Sequence, residues 1–189
     1  SAIKDEATQQ ITHYVGLFSD ITESKLQQKS LEVLAHFDPL TGLPNRTLFS
    51  DRFRQAIVRV DRNKTLLAVC FIDLDRFKPV NDIYGHEMGD DLLVEVAARL
   101  KLLIRKDDTV SRLGGDEFAI LLSDIESITQ CEQTMQRIHN RLTTPYSIGE
   151  QMITIGCSSG VTIYPLDKAD ADTLLRHADQ AMYQSKQAG

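Results

Sequence analysis

The sequence predicts an α/β or α+β domain in which helices pack on one sheet, and three observations lead to this class. Apolar runs of strand length alternate with longer stretches whose apolar residues recur every three or four positions. Adjacent glycines, Gly114 and Gly115, separate two apolar segments, which is typical of a tight hairpin. The 42% hydrophobic share of the 189 residues is ordinary for a protein that buries a core.

Two elements are predicted before residue 38. β-Branched and aromatic residues predict a strand within residues 11–22, and its lack of a partner nearby in sequence suggests the end of a truncated domain. Residues 23–37 are predicted to be a helix. Its apolar seam is too short to decide between a solvated linker and a helix that dimerises. The chain is therefore predicted to divide near residue 38.

From Asp38 onward, strands and helices are predicted to alternate. Leu66–Ile72 is apolar throughout, as expected of a strand buried on both faces, and Gly85–Ile104 has the clearest helical periodicity. The other predicted elements are helices over 47–61, 126–141 and 170–187, and strands over 109–113, 118–122, 145–148 and 152–164. This order favours one sheet covered by helices.

The composition argues against several functional classes. A net charge of −6 gives no electrostatic case for nucleic-acid binding. No apolar stretch approaches the ~20 residues of a membrane span, and the first residues lack the apolar region of a signal peptide. The three cysteines are far apart and lack metal-ligand spacing. We therefore expect reduced cysteines and a cytoplasmic location, although the full-length protein could be attached to a membrane.

Carboxylates are predicted to converge at one end of the sheet. Asp73 follows the buried strand, and Asp116 and Glu117 follow the two glycines of the hairpin. If the hairpin pairs with that strand, at the ~4.8 Å spacing of neighbouring strands, Asp73 and Asp116 could bind the same cation. Oxygen ligands completed by phosphates suit Mg²⁺ better than Zn²⁺. The alternative is that Asp73 caps the next helix and the other two are solvated turn residues.

The path between the buried strand and the clearest helix is rich in polar residues. Asn81, His86 and Asp90 surround the predicted start of the helix. An Asp carboxylate can accept from a pair of N–H donors that guanine presents and adenine lacks, and Lys78 could act as a point charge for phosphate. Helix capping and turn formation are the alternative interpretation of these polar residues.

These residues resemble the GGDEF domain of diguanylate cyclases. The matching motifs, in chain order, are Asp38–Arg46, Asp73–Lys78, Asn81-Asp82, Gly85-His86, Gly89-Asp90, Arg112–Phe118 and Ala178–Lys186. The resemblance covers residues 36–189, and residues 11–22 resemble, much more weakly, the tail of a PAS sensor domain. It divides the chain into a sensor remnant over 1–22, a signalling or linker helix over 23–37 and a catalytic domain over 38–189.

The resemblance implies a fold and a reaction. The fold would be a mixed sheet of about five strands wrapped by helices, akin to the palm of nucleotidyl cyclases. The reaction would condense two GTP molecules into cyclic di-GMP and release pyrophosphate. Mg²⁺, or Mn²⁺ in its place, would be the cofactor, and catalysis would require a homodimer because each domain offers one guanine pocket and one acidic cluster.

The resemblance also implies roles for individual residues. Asp73, the backbone carbonyl of Leu74 and Asp116 would hold the metal. Asp116, Glu117 and Lys78 would act in catalysis. The implied GTP-binding residues are Asn81, His86, Asp90, Lys78 and Lys186. Arg105 and Asp108 fit the family's inhibitory motif, so that cyclic di-GMP would bind there and inhibit its own synthesis.

A rival interpretation belongs to another functional class. The chain could be a non-catalytic regulatory domain that binds GTP or cyclic di-GMP within a larger signalling protein. Such relatives often lack the acidic signature. Because Asp73, Asp116 and Glu117 are all present here, the sequence favours an enzyme.

Overall fold

The N-terminal part of the chain forms a small unit of its own. The computed structural model describes residues 2–4, 11–14 and 20–188, and the chain separates into two compact units, residues 1–33 and 34–189. In the first unit, β1 (Ala2–Lys4) pairs antiparallel with β2 (Ile11–Tyr14). The expectation of a strand without a nearby partner is therefore wrong. Residues 15–19 of that predicted strand lie outside the described residues.

The second unit is built on a four-stranded antiparallel sheet. Its strands, in spatial order, are β4 (Thr109–Gly114), β5 (Glu117–Ile125), β3 (Leu66–Asp75) and β8 (Gly156–Tyr164). The predicted strand over 152–164 is divided at Thr154-Ile155, and its first part, β7 (Gln151–Ile153), pairs with β6 (Tyr146–Ile148) in a separate hairpin. The α+β class is confirmed. The main sheet has four strands rather than five because this hairpin stands apart from it.

Six helices are described, of which the first, α1 (Thr22–His36), precedes the second unit's sheet. The others are α2 (Arg46–Asn63), α3 (Phe77–Tyr84), α4 (His86–Leu103), α5 (Ile128–Leu142) and α6 (Ala171–Ala188). The sequence did not predict α3. Its polar segment buries only Phe77 and Val80, and Pro79 lies in the first turn, where a backbone N–H has no helical partner to lose.

Two apolar cores lie on opposite faces of the sheet, and β3 contributes to both. Cys70, Ile72 and Leu74 pack on the face covered by α4 and α5. Val69 and Phe71 pack on the face covered by α2 and α6. Side chains alternate between the two faces of a strand, which is why this segment is apolar at nearly every position.

Two further sequence expectations concern cysteines and membrane segments. Cys70, Cys131 and Cys157, all within the described residues, are buried free thiols that pack in the core. Across the part of the chain that the structure describes, none of the helices has the length and apolar character needed to cross a bilayer.

Candidate functional site at the β4–β5 turn

The β4–β5 hairpin turns through the two adjacent glycines. Gly114 has φ 152° and Gly115 has φ 51°, backbone conformations that side chains disfavour. The Arg112 Nε donates to the carbonyl of Gly115 at 2.9 Å, and its Nη1 donates to Asp38 Oδ1 at 3.0 Å. Partial burial acts to raise the pKa of Asp38. Hydrogen bonds from Thr41 and Arg112 outweigh this effect and keep that pKa below its ordinary value. The partly buried ion pair between Arg112 and Asp38 therefore holds the turn in place.

The structure brings the end of β3 beside this turn. Asp73 is directly opposite Glu117 in the antiparallel register of β3 and β5. The backbone N–H of Leu74 donates to the carbonyl of Asp116 at 3.3 Å. The expectation that the hairpin pairs with the buried strand is confirmed, and three predicted site residues, Asp73, Asp116 and Glu117, lie together.

The acidic residues at the turn are partly buried and repel one another. Burial raises the pKa of Asp116, and the negative charge of Asp73 adds to this effect. Burial also raises the pKa of Glu117, against the opposing charge of Arg46, whose Nη2 is 3.8 Å from Glu117 Oε2. Asp179 on α6 contributes a further negative charge near Glu117. The cluster therefore has an excess of negative charge that a cation would compensate.

Lys186 contacts this cluster from α6. Its Nζ donates a hydrogen bond to Asp73 Oδ1 and forms an ion pair with that carboxylate. This hydrogen bond is the main reason that the pKa of Lys186 is raised. Lys186 is predicted to neutralise nucleotide phosphates, and in this structure its partner is a predicted metal ligand instead.

The donor atoms at the turn fit a hard divalent cation that shares its ligands with a nucleotide. Asp73, Asp116 and the backbone of Leu74 offer oxygen, which Mg²⁺ and Mn²⁺ prefer. Among the described residues, no three His, Cys, Asp or Glu side chains cluster in a way that could hold a metal ion. Phosphate oxygens or water would have to complete the coordination. The ammonium of Lys186 already shows that Asp73 accepts a positive charge there.

The predicted guanine-binding residues lie where α3 meets α4. Lys78, His86 and Asp90 are exposed, whereas Asn81 is partly buried. A Cβ built on Gly89 would be 1.9 Å from Asn81 Oδ1, so the Asn81 amide packs directly on the backbone of α4. Gly89, a glycine within a predicted helix, is the sequence signal of this close approach, although the sequence alone does not identify Asn81 as its neighbour.

The predicted product-binding residues lie at the opposite end of β5. Both oxygens of Asp108 accept backbone N–H groups, Oδ2 from Arg105 at 2.9 Å and Oδ1 from Ser123 at 3.1 Å. Asp108 also lines a cavity of about 330 Å³ together with Arg52, Arg59 and Lys106. The side chain of Arg105 is exposed. This arrangement leaves the cyclic di-GMP site a prediction.

Two charged residues near the acidic turn were not predicted. Arg46 is the first residue of α2, and Asp179 lies in the middle of α6. Both occur within the motifs Asp38–Arg46 and Ala178–Lys186, but nothing in the sequence links either residue to Glu117. Their contribution depends on α2 and α6 packing on the same face of the sheet.

Comparison with known proteins identifies the class to which this fold and site belong. The chain matches the family model described as diguanylate cyclase, GGDEF domain, over residues 35–189. The chain therefore belongs to the GGDEF domain family.

The similar proteins include enzymes named for different activities. The chain is 41% identical over 171 residues to the cyclic di-GMP phosphodiesterase PdeR of Escherichia coli, covering 90% of this chain and 25% of that protein. It is 43% identical over 161 residues to the bifunctional diguanylate cyclase/cyclic di-GMP phosphodiesterase MucR of Pseudomonas aeruginosa, covering 85% of this chain and 23% of that protein. The chain thus spans about a quarter of the length of each of these relatives.

A solved structure shows the same fold. The crystal structure of a sensory box/GGDEF family protein from Caulobacter crescentus matches with a TM-score of 0.78 and 39% sequence identity. The match covers 82% of this chain and 99% of that one. The GGDEF fold is therefore present in the second unit.

Proposed function

We propose that this chain is a diguanylate cyclase domain that condenses two GTP molecules into cyclic di-GMP. The observation that carries the proposal is the convergence of Asp73, Asp116 and Glu117 at the turn between β4 and β5. The similarity to MucR, a bifunctional diguanylate cyclase/cyclic di-GMP phosphodiesterase, supports it. Mg²⁺ or Mn²⁺ is the proposed cofactor, held by Asp73, Asp116 and the carbonyl of Leu74.

The proposed reaction is a pair of in-line displacements. The 3′-oxygen of one GTP forms a bond to the α-phosphorus of the other, the bond from that phosphorus to the bridging oxygen of the pyrophosphate breaks, and pyrophosphate leaves. The bound cation would stabilise the charge on the triphosphate and leaving group. Glu117 or Asp116 would accept the 3′-hydroxyl proton.

The remaining predicted residues bind and orient the substrate. Asn81 and Asp90, with His86 beside them, contact the guanine, while Lys78 and Lys186 neutralise the β- and γ-phosphates. Each domain holds one GTP, so two domains must face each other to form both phosphodiester bonds. A homodimer of this domain is therefore part of the proposal. A cytoplasmic location and a PAS origin for residues 1–22 remain predictions from sequence.

Turnover of GTP by the purified chain tests the proposal. With GTP and Mg²⁺ we expect cyclic di-GMP and pyrophosphate, identified by chromatography and mass spectrometry. Asp116→Ala should abolish both products, whereas Asp51→Ala, at an exposed position on α2, should not. Failure of the folded chain to make either product would contradict the proposal.

A regulatory role is the second candidate. PdeR is named as a phosphodiesterase, and a region similar to this chain forms a quarter of it. A domain of this kind could bind GTP or cyclic di-GMP and control a neighbouring enzyme. Saturable GTP binding, measured by calorimetry, in the absence of any product would favour this candidate over the cyclase.

Feedback by the product is proposed at the turn before β4. Arg105 and Asp108 would hold cyclic di-GMP, with the Arg105 guanidinium pairing with phosphate. Arg105→Ala should increase, by about tenfold, the concentration of cyclic di-GMP needed for half-maximal inhibition. This is the effect expected from the loss of one charge-assisted contact. Arg54→Ala, at an exposed position on α2, is the control. Equal inhibition of both variants would contradict the assignment.

A further inference from the structure

The contact between α6 and the end of β3 joins two residues that the proposed function assigns to different ligands. Asp73 is assigned to the metal and Lys186 to phosphate, yet Lys186 Nζ donates to Asp73 Oδ1. The Asp73 side chain is 14% exposed and that of Lys186 is 41% exposed. A charge-assisted hydrogen bond at a partly buried carboxylate is stronger than an ion pair on the open surface.

Carboxylates surround the Lys186 ammonium, as they would surround a bound metal cation. Asp73, Asp75 and Asp116 all act on it as negative charges. Asp75 is itself held by Ser158, whose Oγ donates to Asp75 Oδ1 at 2.7 Å. The ammonium therefore compensates carboxylates that would otherwise repel one another at the end of β3. A divalent cation bound to Asp73 would be repelled by the ammonium of Lys186, which already occupies Asp73 Oδ1.

We propose that Lys186 acts as a resident cation at Asp73 in the nucleotide-free protein and excludes free Mg²⁺ or Mn²⁺ from the site. This inference rests on the proposed function, which makes Asp73 a metal ligand. A triphosphate offers Lys186 an alternative partner, so that nucleotide binding frees Asp73. The metal then enters together with the nucleotide rather than before it.

Binding of Mn²⁺ without nucleotide tests the proposal. The electron paramagnetic resonance signal of free Mn²⁺ decreases on binding and gives the dissociation constant directly. Lys186→Met should lower this constant by at least about tenfold relative to the unmodified chain. Lys186→Arg, which keeps a positive charge within reach of Asp73, should leave Mn²⁺ binding weak.

Two charge-matched variants separate a specific contact from a general loss of positive charge. Arg46→Met removes a charge 3.8 Å from Glu117, and Lys101→Met removes an exposed charge on α4. Both should change Mn²⁺ affinity much less than Lys186→Met does. The double change Asp73→Asn with Lys186→Met should lose the gained affinity. An unchanged constant in Lys186→Met, or an equal gain in Arg46→Met, would overturn the proposal.

Thermal unfolding provides a second, independent measure of Mn²⁺ binding to the folded protein. Lys186→Met should lower Tm because Asp73 loses its partner, and Mn²⁺ should restore Tm by binding the folded state only. Neither readout requires turnover. Tighter Mn²⁺ binding in Lys186→Met, with no cyclic di-GMP synthesis by the folded unmodified chain, would refute the cyclase and keep this inference. Synthesis by the unmodified chain, with no change of Mn²⁺ affinity in Lys186→Met, would keep the cyclase and refute this inference.

Discussion

At the scale of single residues, the acidic turn shows what local sequence can and cannot reveal. Asp73 and Asp116 were predicted as neighbours because a strand end and a hairpin turn become adjacent once the strands pair. Arg46 and Asp179 were not, since they come from α2 and α6 and reach Glu117 only through packing on the sheet. Residue types within one motif were predictable, whereas charges contributed by other elements required the tertiary structure.

The raised pKa of Asp116 predicts how stability depends on pH. The folded state binds the Asp116 proton more tightly than the unfolded state, because burial and the charge of Asp73 disfavour the carboxylate. This group therefore favours folding most at pH below its ordinary pKa, and its contribution is lost as pH rises through the raised pKa. Without divalent cations, Asp116→Asn should increase the free energy of unfolding near neutral pH by less than about 1 kcal/mol, since solvent screens the site.

Urea unfolding at several pH values measures this effect. The advantage of Asp116→Asn should shrink as the pH falls through the raised pKa of Asp116, because the native carboxyl then becomes protonated. Asp51→Asn, at an exposed position on α2, is the control. A variant that is less stable than the unmodified chain at neutral pH would contradict the predicted sign.

Gly89 is predicted to position Asn81 for guanine. A methyl group at this position would be 1.9 Å from Asn81 Oδ1 and 2.9 Å from its Cγ. The Asn81 side chain can rotate away, so Gly89→Ala should change stability little but weaken GTP binding by about tenfold through loss of one polar contact. In a double-mutant cycle by calorimetry, Gly89→Ala should have almost no further effect when Asn81 is already Ala. Additive losses would show that Gly89 acts elsewhere.

At the scale of elements, the strongest sequence signals were those of long, uninterrupted segments. The apolar run of β3 and the periodic pattern of α4 were predicted close to their observed bounds. The short helix α3 was not predicted, because its two buried residues are too few among polar ones, such as Lys78, Asn81 and Asp82, to form a helical pattern. The break between β7 and β8 was also missed, since the segment around Thr154-Ile155 continues the pattern of apolar residues.

The packing of α6 on β8 depends on Gly160. A Cβ at this position would be 2.1 Å from the carbonyl oxygen of Ala178 and 2.2 Å from the backbone nitrogen of Met182. Backbone atoms of a helix cannot rotate away, so Gly160→Ala should lower the free energy of unfolding by about 1–3 kcal/mol or more. Because α6 carries Lys186 and Asp179, activity should fall as well.

Another glycine of β8 provides the control for this change. At Gly156 the nearest atom to an added Cβ is Asp75 Oδ2, at 2.8 Å, which belongs to a side chain that can move. Thermal and urea unfolding should therefore show a smaller loss for Gly156→Ala than for Gly160→Ala. Equal losses in the two variants would indicate that the helix does not require close approach to β8.

At the scale of the whole molecule, the proposed reaction requires two copies of the domain. Each copy contributes one acidic turn, so the rate of cyclic di-GMP formation should rise with the square of protein concentration while the chain is mostly monomeric. Initial rates over a range of concentrations, with sedimentation measured in parallel, test this. A rate per molecule that stays constant while the chain sediments as a monomer would exclude the dimeric mechanism.

The Arg112–Asp38 ion pair has a mechanical consequence for the molecule. Asp38 lies two residues after the end of α1. Asn45 holds this end of the helix with two hydrogen bonds. Its Nδ2 donates to the carbonyl of Ala35 at 3.0 Å, and its backbone N–H donates to the carbonyl of His36 at 2.9 Å. Arg112 joins this entry point to the carbonyl of Gly115, one residue before Asp116. A rotation of the chain at His36 would therefore be passed on, through Asp38 and Arg112, to the turn that carries Asp116.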